Sequence, residues 1–485
     1  MDSKNVLTYK LTGEKLPIKF GTGGWRATIG DSFIQENIRR VAEGVAELMK
    51  AEKKTDLPVP IGFDRRFLSD QAAKWIAEVF CGNGINVIFY HRSTPTPLIM
   101  FTVKDQKLHY GIEITASHNP ANYNGIKLIV EEGRDASVEC TEKLEGIIAG
   151  LKEISYMPFD DAQKCGLVTF CETPFNPFID SILGKLDIQA IRERGLRILF
   201  NPMHGSGTYP LMVILYTTRC TVDLVNGERD AYFGGHVPAP GKENLQDFRT
   251  QVVLGKYDLG IAIDGDGDRL GIIDSNGEYI DANQILVMLY YYLHKYKGWK
   301  GPVVRNMSTT HMLDLVAESF GEKCYEVPVG FKYISSKLDE VDAVLGGESS
   351  GGLTVRGHIY GKDSVYSSAL FVEMLCAMKK SPTEIWKELT EKYGRHEMVE
   401  DNLPFDPNDK ARIYDKLMVE KAVPNFAKPV KKIGYEDGFK AYFEDNSFVV
   451  CRFSGTEPLL RIFAEDETAE KAAELVKAVK KLLNL

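Results

Sequence analysis

Residues 110–127 read YGIEITASHNPANYNGIK, and this stretch sets the reading of the whole chain. Ile112 and Ile114 alternate with less apolar neighbours, the period-two mark of a short strand. Residues 115–124 are almost all small, polar or turn-forming and lead into Asn124-Gly125, so the strand runs into an ordered loop. Ser117 then stands at a strand's carboxyl end, beside His118 and upstream of Lys127, where α/β sheets carry ligand chemistry. Its hydroxyl is expected to be exposed there. A serine in a Ser/Asn/Pro loop also serves as an ordinary turn or cap residue. The flanking glycines of a hydrolase elbow are missing, so the loop alone does not decide.

A second stretch shifts the balance. Residues 258–270, DLGIAIDGDGDRL, read as a hydrophobic strand ending in three carboxylates at alternate positions, Asp264, Asp266 and Asp268. Like charges this close raise one another's pKa, so the cluster is costly unless a cation sits among them. Hard oxygen ligands point to Mg²⁺ or Ca²⁺. A solvated acidic turn is the plainer alternative, since glycine-spaced aspartates also suit turns. An EF-hand is excluded, because its sixth and twelfth places hold Arg269 and Ser275. Three carboxylates and a phosphate oxygen would suit Mg²⁺ in phosphoryl transfer.

Around these stretches helix and strand alternate. Ile34, Ile38, Val41, Val45 and Leu48 recur on one helical face, and Val59, Ile61 and Phe63 alternate as a strand ending in Asp64-Arg65-Arg66. Ser69 is expected to cap a helix closed by Gly82 and Gly84, with a strand following at 85–90. Further strands are expected at 196–200, 221–225, 260–264, 302–305, 324–327 and 342–345, and a buried helix at 285–293. After residue 394 the pattern changes to strands at 447–451 and 459–464 and a helix capped by Thr468; the proline-bearing segments 404–407 and 424–429 read as loops. The expected fold class is α/β. Three α/β domains with mixed, mostly parallel sheets span 1–171, 172–280 and 281–394, and a smaller α+β domain spans 395–485.

Composition narrows the function classes. Of 485 residues 44% are hydrophobic and 26% charged, ordinary for a globular protein, and the formal net charge of −9 argues against a nucleic-acid partner. The eight cysteines are scattered with no Cys-x-x-Cys pair, which suggests neither zinc nor a disulfide framework and fits a reducing compartment. No signal-peptide pattern and no membrane-length apolar run is present, so a cytoplasmic protein without a membrane partner is expected.

TASHNP (115–120) and DGDGDR (264–269) resemble the phosphoserine and metal loops of the α-D-phosphohexomutases, the phosphoglucomutase/phosphomannomutase family. FGTGGWR (20–26), GGESSGG (346–352) and RFSGTEP (452–458) are similar to that family's motifs and stand in its order. The resemblance supplies the expectation that the three α/β domains are related. It implies a phosphate carried on Ser117 and one Mg²⁺ held by Ser117, Asp264, Asp266 and Asp268. Glucose 1,6-bisphosphate would serve as primer and intermediate, and hexose phosphates as substrates. Proton transfer would fall to Lys127, His118 and Arg26, with Arg269 as electrostatic support. Plainer roles, a loop-orienting His118 and a surface Lys127, stand beside these. Glu348 and Ser350 occupy the sugar-contacting motif, while Arg452, Ser454, Gly455 and Thr456 form a phosphate anchor. A strand-connecting turn is the alternative for the last group.

The chain also departs from parts of the family pattern. Gly352 stands where the phosphomannomutase branch often has histidine. HIYGKD (358–363) looks like a glucomutase segment, bringing in His358 and Lys362, although Ser364 replaces the usual glycine. Gly330-Phe331-Lys332 resembles a Gly-Trp-Lys segment and brings in Lys332. The balance leans towards glucose, with phosphomannomutase and phosphoglucosamine mutase as rivals. A non-catalytic relative that only binds sugar phosphates is the contrasting class. The assembly is expected to be a monomer or homodimer.

Overall fold

The computed structural model describes residues 5–12, 17–21, 23–453 and 459–485. The chain forms two compact units, Met1–Ala282 with Ser350–Ser381, and Asn283–Ser349 with Pro382–Leu485. Both are built from mixed sheets and helices, as the α/β reading expects.

In the first unit, strands Val168–Phe170, Val87–Phe89, Val59–Phe63 and Tyr110–Ile114 lie side by side and parallel. Tyr123–Val130, Gly24–Thr28 and Phe20–Gly21 extend the sheet antiparallel. Val59–Phe63 and Tyr110–Ile114 are buried at every residue, as strands covered on both faces are. Register carries function here: Arg26 sits opposite Gly125, and Glu113 opposite Lys127.

Two local details differ from the sequence reading. The first helix runs Gln35–Glu52; Ile34 is its extended cap residue, 39% exposed, so the buried face starts at Ile38. Ser69 is the first residue of helix Ser69–Gly82 rather than its cap, because its hydroxyl donates to Asp64 Oδ1 at 2.7 Å.

A second sheet in this unit sets Thr221–Leu224, Arg197–Asn201 and Leu259–Ile263 in parallel, followed by antiparallel Leu270–Asp274 and Tyr279–Ile280. The aspartate-rich segment is therefore the tight turn between Leu259–Ile263 and Leu270–Asp274.

In the second unit, Cys324–Val327, Val303–Asn306 and Leu345–Gly347 run parallel. The last begins later than the sequence suggests, since Asp342 takes a left-handed φ of 48°. The C-terminal sheet has five antiparallel strands, in the order Glu397–Pro404, Leu459–Asp466, Phe448–Phe453, Phe439–Phe443 and Val430–Gly434. Three of these went unread. Glu397–Pro404 is a half-exposed edge strand rich in charge, and Phe439–Phe443 carries Lys440 in its middle. Lys440 is fully buried, donating to Met307 O (2.6 Å) and pairing with Glu326 (2.7 Å); burial pushes its pKa down to about 7. Helix Ala469–Leu483 packs Leu475 and Val479 against this sheet, and Thr468 caps it as expected. Among the described residues no helix is long and apolar enough to cross a membrane.

Candidate active site

Where strand Tyr110–Ile114 ends, the chain turns sharply. Ser117 adopts a left-handed φ of 53°, and its N–H donates to Thr115 Oγ1 at 2.8 Å. Such a conformation costs a non-glycine residue about 1–2 kcal/mol, so other contacts hold it. Arg66 supplies them. Its guanidinium donates to Ser117 O and Asn119 O, both at 2.6 Å, and to Pro120 O (2.8 Å) and Tyr123 O (3.0 Å). Asp64 pairs with Arg66 Nε at 3.2 Å and accepts from Thr115 Oγ1 at 2.7 Å. The loop is thus nailed to the end of strand Val59–Phe63.

The Ser117 side chain is 0% exposed, contrary to the expected exposed hydroxyl. The aspartate turn covers it: a Cβ at Gly265 would lie 3.0 Å from Ser117 O. Ser117 Oγ stands 3.4 Å from Asp264 Oδ2 and 3.3 Å from His118 Nδ1.

Asp264, Asp266 and Asp268 are all buried, and each offers an oxygen within 4.8 Å of the others. Asp264 Oδ1 accepts from the N–H groups of Asp268 (2.8 Å) and Arg269 (3.0 Å), which points its other oxygen at Ser117. Asp266 Oδ2 accepts from Thr96 Oγ1 (2.6 Å) and Lys127 Nζ (2.7 Å). Asp268 Oδ2 accepts from Lys127 Nζ and is paired with Lys362 Nζ, both at 3.0 Å. Burial, and then repulsion from the other two, pushes Asp264 well above the carboxylate range. For Asp268 burial acts the same way but is outweighed by Lys127, Lys362 and Arg269, which hold it well below. Two carboxylate oxygens, Asp266 Oδ1 and Asp268 Oδ1, are buried and accept no hydrogen bond. Orphaned anionic oxygens are expensive, and a hard divalent cation would satisfy them together. The residues fit a metal.

The cations around the serine are ordered. Arg26 donates to Asn119 Oδ1 at 2.5 Å; burial and then Arg269 lower its pKa. His118 is kept far below the usual imidazole range by burial, then by Arg269, Arg26 and Lys362, so it is neutral. Lys127, expected as a candidate proton carrier or surface residue, is 3% exposed, and its charge is stabilised by Asp266 and Asp268 despite burial. This cation balances the charge of the two carboxylates.

His358 is firmly held. It is 4% exposed, its Nε2 lies 2.6 Å from Asp363 Oδ2, and its ring packs on Tyr366 and Phe178. Asp363 in turn caps helix Ser364–Met378 through Val365 N and Tyr366 N. The ring is therefore braced against the start of that helix. Lys362 passes over Gly352, where a Cβ would lie 2.1 Å from Lys362 Cδ. Ser350 belongs to the first unit, next to Gly351, whose carbonyl accepts from Leu270 N at 3.1 Å.

The second unit holds the remaining candidates. Glu348 Oε1 accepts from Asn306 Nδ2 (3.3 Å) and Gly330 N (3.2 Å), and Lys332 follows on helix Phe331–Glu340. Arg452 pairs with Asp437 at 3.2 Å, and Asp437 also accepts from Val329 N at 3.0 Å. The Gly330 turn is thereby tied to both Glu348 and Asp437. Ser454, Gly455 and Thr456 lie outside the described residues.

Arg66, Asp64 and Thr96 were not singled out from the sequence. The one available signal was Asp64-Arg65-Arg66 at the end of an apolar strand, adjoining the sheet edge that carries Ser117.

Comparison with known proteins identifies the family. Models described as phosphoglucomutase/phosphomannomutase alpha/beta/alpha domains I, II and III match residues 17–155, 176–277 and 281–393, and that of the C-terminal domain matches 408–482. A phosphoglucomutase/phosphomannomutase of Thermococcus kodakarensis is 29% identical, with 96% of this chain and 98% of that protein covered. A phosphoglucosamine/phosphogalactosamine mutase of Sulfurisphaera tokodaii is 27% identical over 96% of this chain and 98% of its own. The crystal structure of a Thermus thermophilus protein, provisionally described as a phosphomannomutase, superposes with a TM-score of 0.85 at 26% identity, covering 97% of this chain and all of that one. With four domains of one family in sequence, the chain belongs to the phosphoglucomutase/phosphomannomutase family of phosphohexomutases, which are isomerases acting as intramolecular phosphotransferases.

Proposed function

We propose that the protein is a Mg²⁺-dependent phosphohexomutase that interconverts glucose 1-phosphate and glucose 6-phosphate. Ser117 carries the phosphoryl group in the resting enzyme and passes it to a sugar hydroxyl, giving glucose 1,6-bisphosphate. After the bisphosphate has reoriented, its other phosphate returns to Ser117. The observation that carries this reading is Ser117 Oγ facing Asp264 in a buried triad with two orphaned oxygens. Bound by Ser117, Asp264, Asp266 and Asp268, Mg²⁺ would neutralise charge on the transferring group.

His118 Nδ1, 3.3 Å from Ser117 Oγ, supports an orienting contact to the serine, since burial and the surrounding cations disfavour its taking up a proton. Arg26 and Arg269 add fixed positive charge for phosphate oxygens, and Arg452 supports anchoring of the non-reacting phosphate.

Asp266→Asn removes one charge from the triad and weakens the tie to Lys127. The Mg²⁺ concentration for half-maximal turnover is expected to rise at least about tenfold, and an unchanged metal titration would count against the triad.

The choice of glucose is supported by the sequence, in which Gly352 stands where the phosphomannomutase branch often has histidine and residues 358–363 and 330–332 resemble glucomutase segments. Gly352→His would push Lys362 away from Asp268, and kcat/KM is expected to fall by up to about 100-fold. The deciding experiment is initial-rate measurement on the 1-phosphates of glucose, mannose and glucosamine in parallel, with a bisphosphate primer. The highest kcat/KM on glucose upholds the reading. A preference for glucosamine moves it to phosphoglucosamine mutase, the activity in the name of the S. tokodaii relative. Turnover on none of them leaves only sugar-phosphate binding.

A further inference from the structure

A cavity of about 550 Å³ opens in the first unit, lined by residues from strands Val59–Phe63, Val87–Phe89 and Val168–Phe170, whose parallel carboxyl ends point the same way. Tyr110–Ile114, the strand leading to Ser117, is the next in this sheet. The crevice outside the carboxyl ends of parallel strands is the usual ligand position in open α/β sheets. The volume lies within the roughly 300–1,000 Å³ of small-molecule sites.

Its floor is aromatic. Phe89 is the hub, with ring centroids 5.0 Å from Phe159, 5.9 Å from Phe170 and 6.3 Å from Phe63. Its walls carry Arg92, Arg229 and Lys74, none of which makes an ion pair with a carboxylate among the described residues. Arg92 lies over the Tyr209 ring at 4.6 Å, and Lys74 over Phe159 at 5.6 Å. The arginines are close enough to oppose one another: Arg65 has its pKa lowered by burial and next by Arg229 and Arg92. Unpaired cations gathered at one cavity favour an anion.

The floor narrows the choice of anion. A flat base presents an all-apolar face to the phenylalanine floor and stacks on it, while the floor itself offers a sugar's hydroxyls no hydrogen-bond partner. Asp70 and Asp160 at the rim can accept from ribose hydroxyls or a base amino group. We propose that this cavity binds a nucleotide, its base on the phenylalanine floor and its phosphate between Arg92, Arg229 and Lys74.

The test is calorimetric titration of the full-length protein with AMP, adenosine and inorganic phosphate, repeated on the K74A/R229A double variant and on R229E. Both side chains are exposed and outside the catalytic machinery, so melting temperature and mutase turnover are expected to be unchanged. AMP is expected to bind one per chain, more tightly than adenosine or phosphate, and about tenfold or more weaker in either variant. Phosphate binding as tightly as AMP would overturn the nucleotide assignment. AMP affinity equal in parent and variants, or no AMP binding at millimolar concentration, would overturn the site.

Discussion

Ser117→Ala is expected to fold like the parent and to lose turnover by a factor on the order of 10⁴–10⁶, the range seen when a covalent nucleophile is removed. The two halves of this expectation rest on different atoms. The loop is held by main-chain groups, Ser117 N on Thr115 and Ser117 O on Arg66, and alanine keeps both. Among the described residues the hydroxyl hydrogen-bonds only to His118 and Asp264, at 3.3 and 3.4 Å, distances too long for strong bonds. Its removal should therefore change stability by no more than about 1 kcal/mol. Thermal unfolding checks the first half and glucose 1-phosphate turnover with a bisphosphate primer the second. Intact mass adds an independent view, since freshly purified parent protein is expected to carry a phosphate that the variant lacks. A folded variant keeping more than about 1% of the parent rate would refute Ser117 as the phosphoryl carrier, because a missing nucleophile leaves far less than that.

The triad was legible because its chemistry forces a local pattern: three carboxylates on one tight turn have to alternate with glycine. Arg66 was not legible for the converse reason. Its partners are carbonyl oxygens of residues 117, 119, 120 and 123, and backbone atoms leave no mark on side-chain type at a distance of fifty residues. His358 shows the converse case. A motif places it near functional residues, but only the fold reveals that Asp363 takes its ring and Tyr366 covers it. Lys127 lies between these cases, on a strand directly across from Glu113 in a register that the loop length hides. Among the elements, parallel strands buried on both faces read clearly as apolar runs. Glu397–Pro404, paired on one side only, and Phe439–Phe443, interrupted by Lys440, did not. The buried lysine has partners, Glu326 and Met307 O, that arrive from more than a hundred residues away.

Arg66→Met separates loop geometry from loop chemistry and is expected to be the most destabilising of these substitutions. Methionine fills much of the volume but strips Asp64, itself fully buried, of its ion pair, and leaves four carbonyl oxygens without their donor. Removing one partner of a buried pair costs about 3–5 kcal/mol. Asp64 has a partial escape. Burial already lifts its pKa, with Arg66 the main opposing influence, so in the variant it takes up a proton and stays neutral. The sign of the pH dependence follows. Asp64's pKa in the folded variant lies further above its unfolded value than in the parent, so the unfolded chain releases a proton that the folded one keeps. The deficit against the parent is then smallest at acidic pH, stays level through the unfolded carboxylate range, where both folded proteins keep the proton, and grows as pH rises past the parent's own raised folded pKa, until the variant's folded group also ionises. Comparing melting temperatures of parent and variant between acid and neutral pH checks this. A deficit that stays flat with pH would show that Asp64 is not what Arg66 compensates. Turnover should fall with the loop, because Ser117 holds its left-handed conformation through the contact to Arg66, and a shift of about 1 Å in a reacting atom can cost 10²-fold in rate. Under folding conditions, a variant with full activity would mean that Thr115 alone holds Ser117 in place.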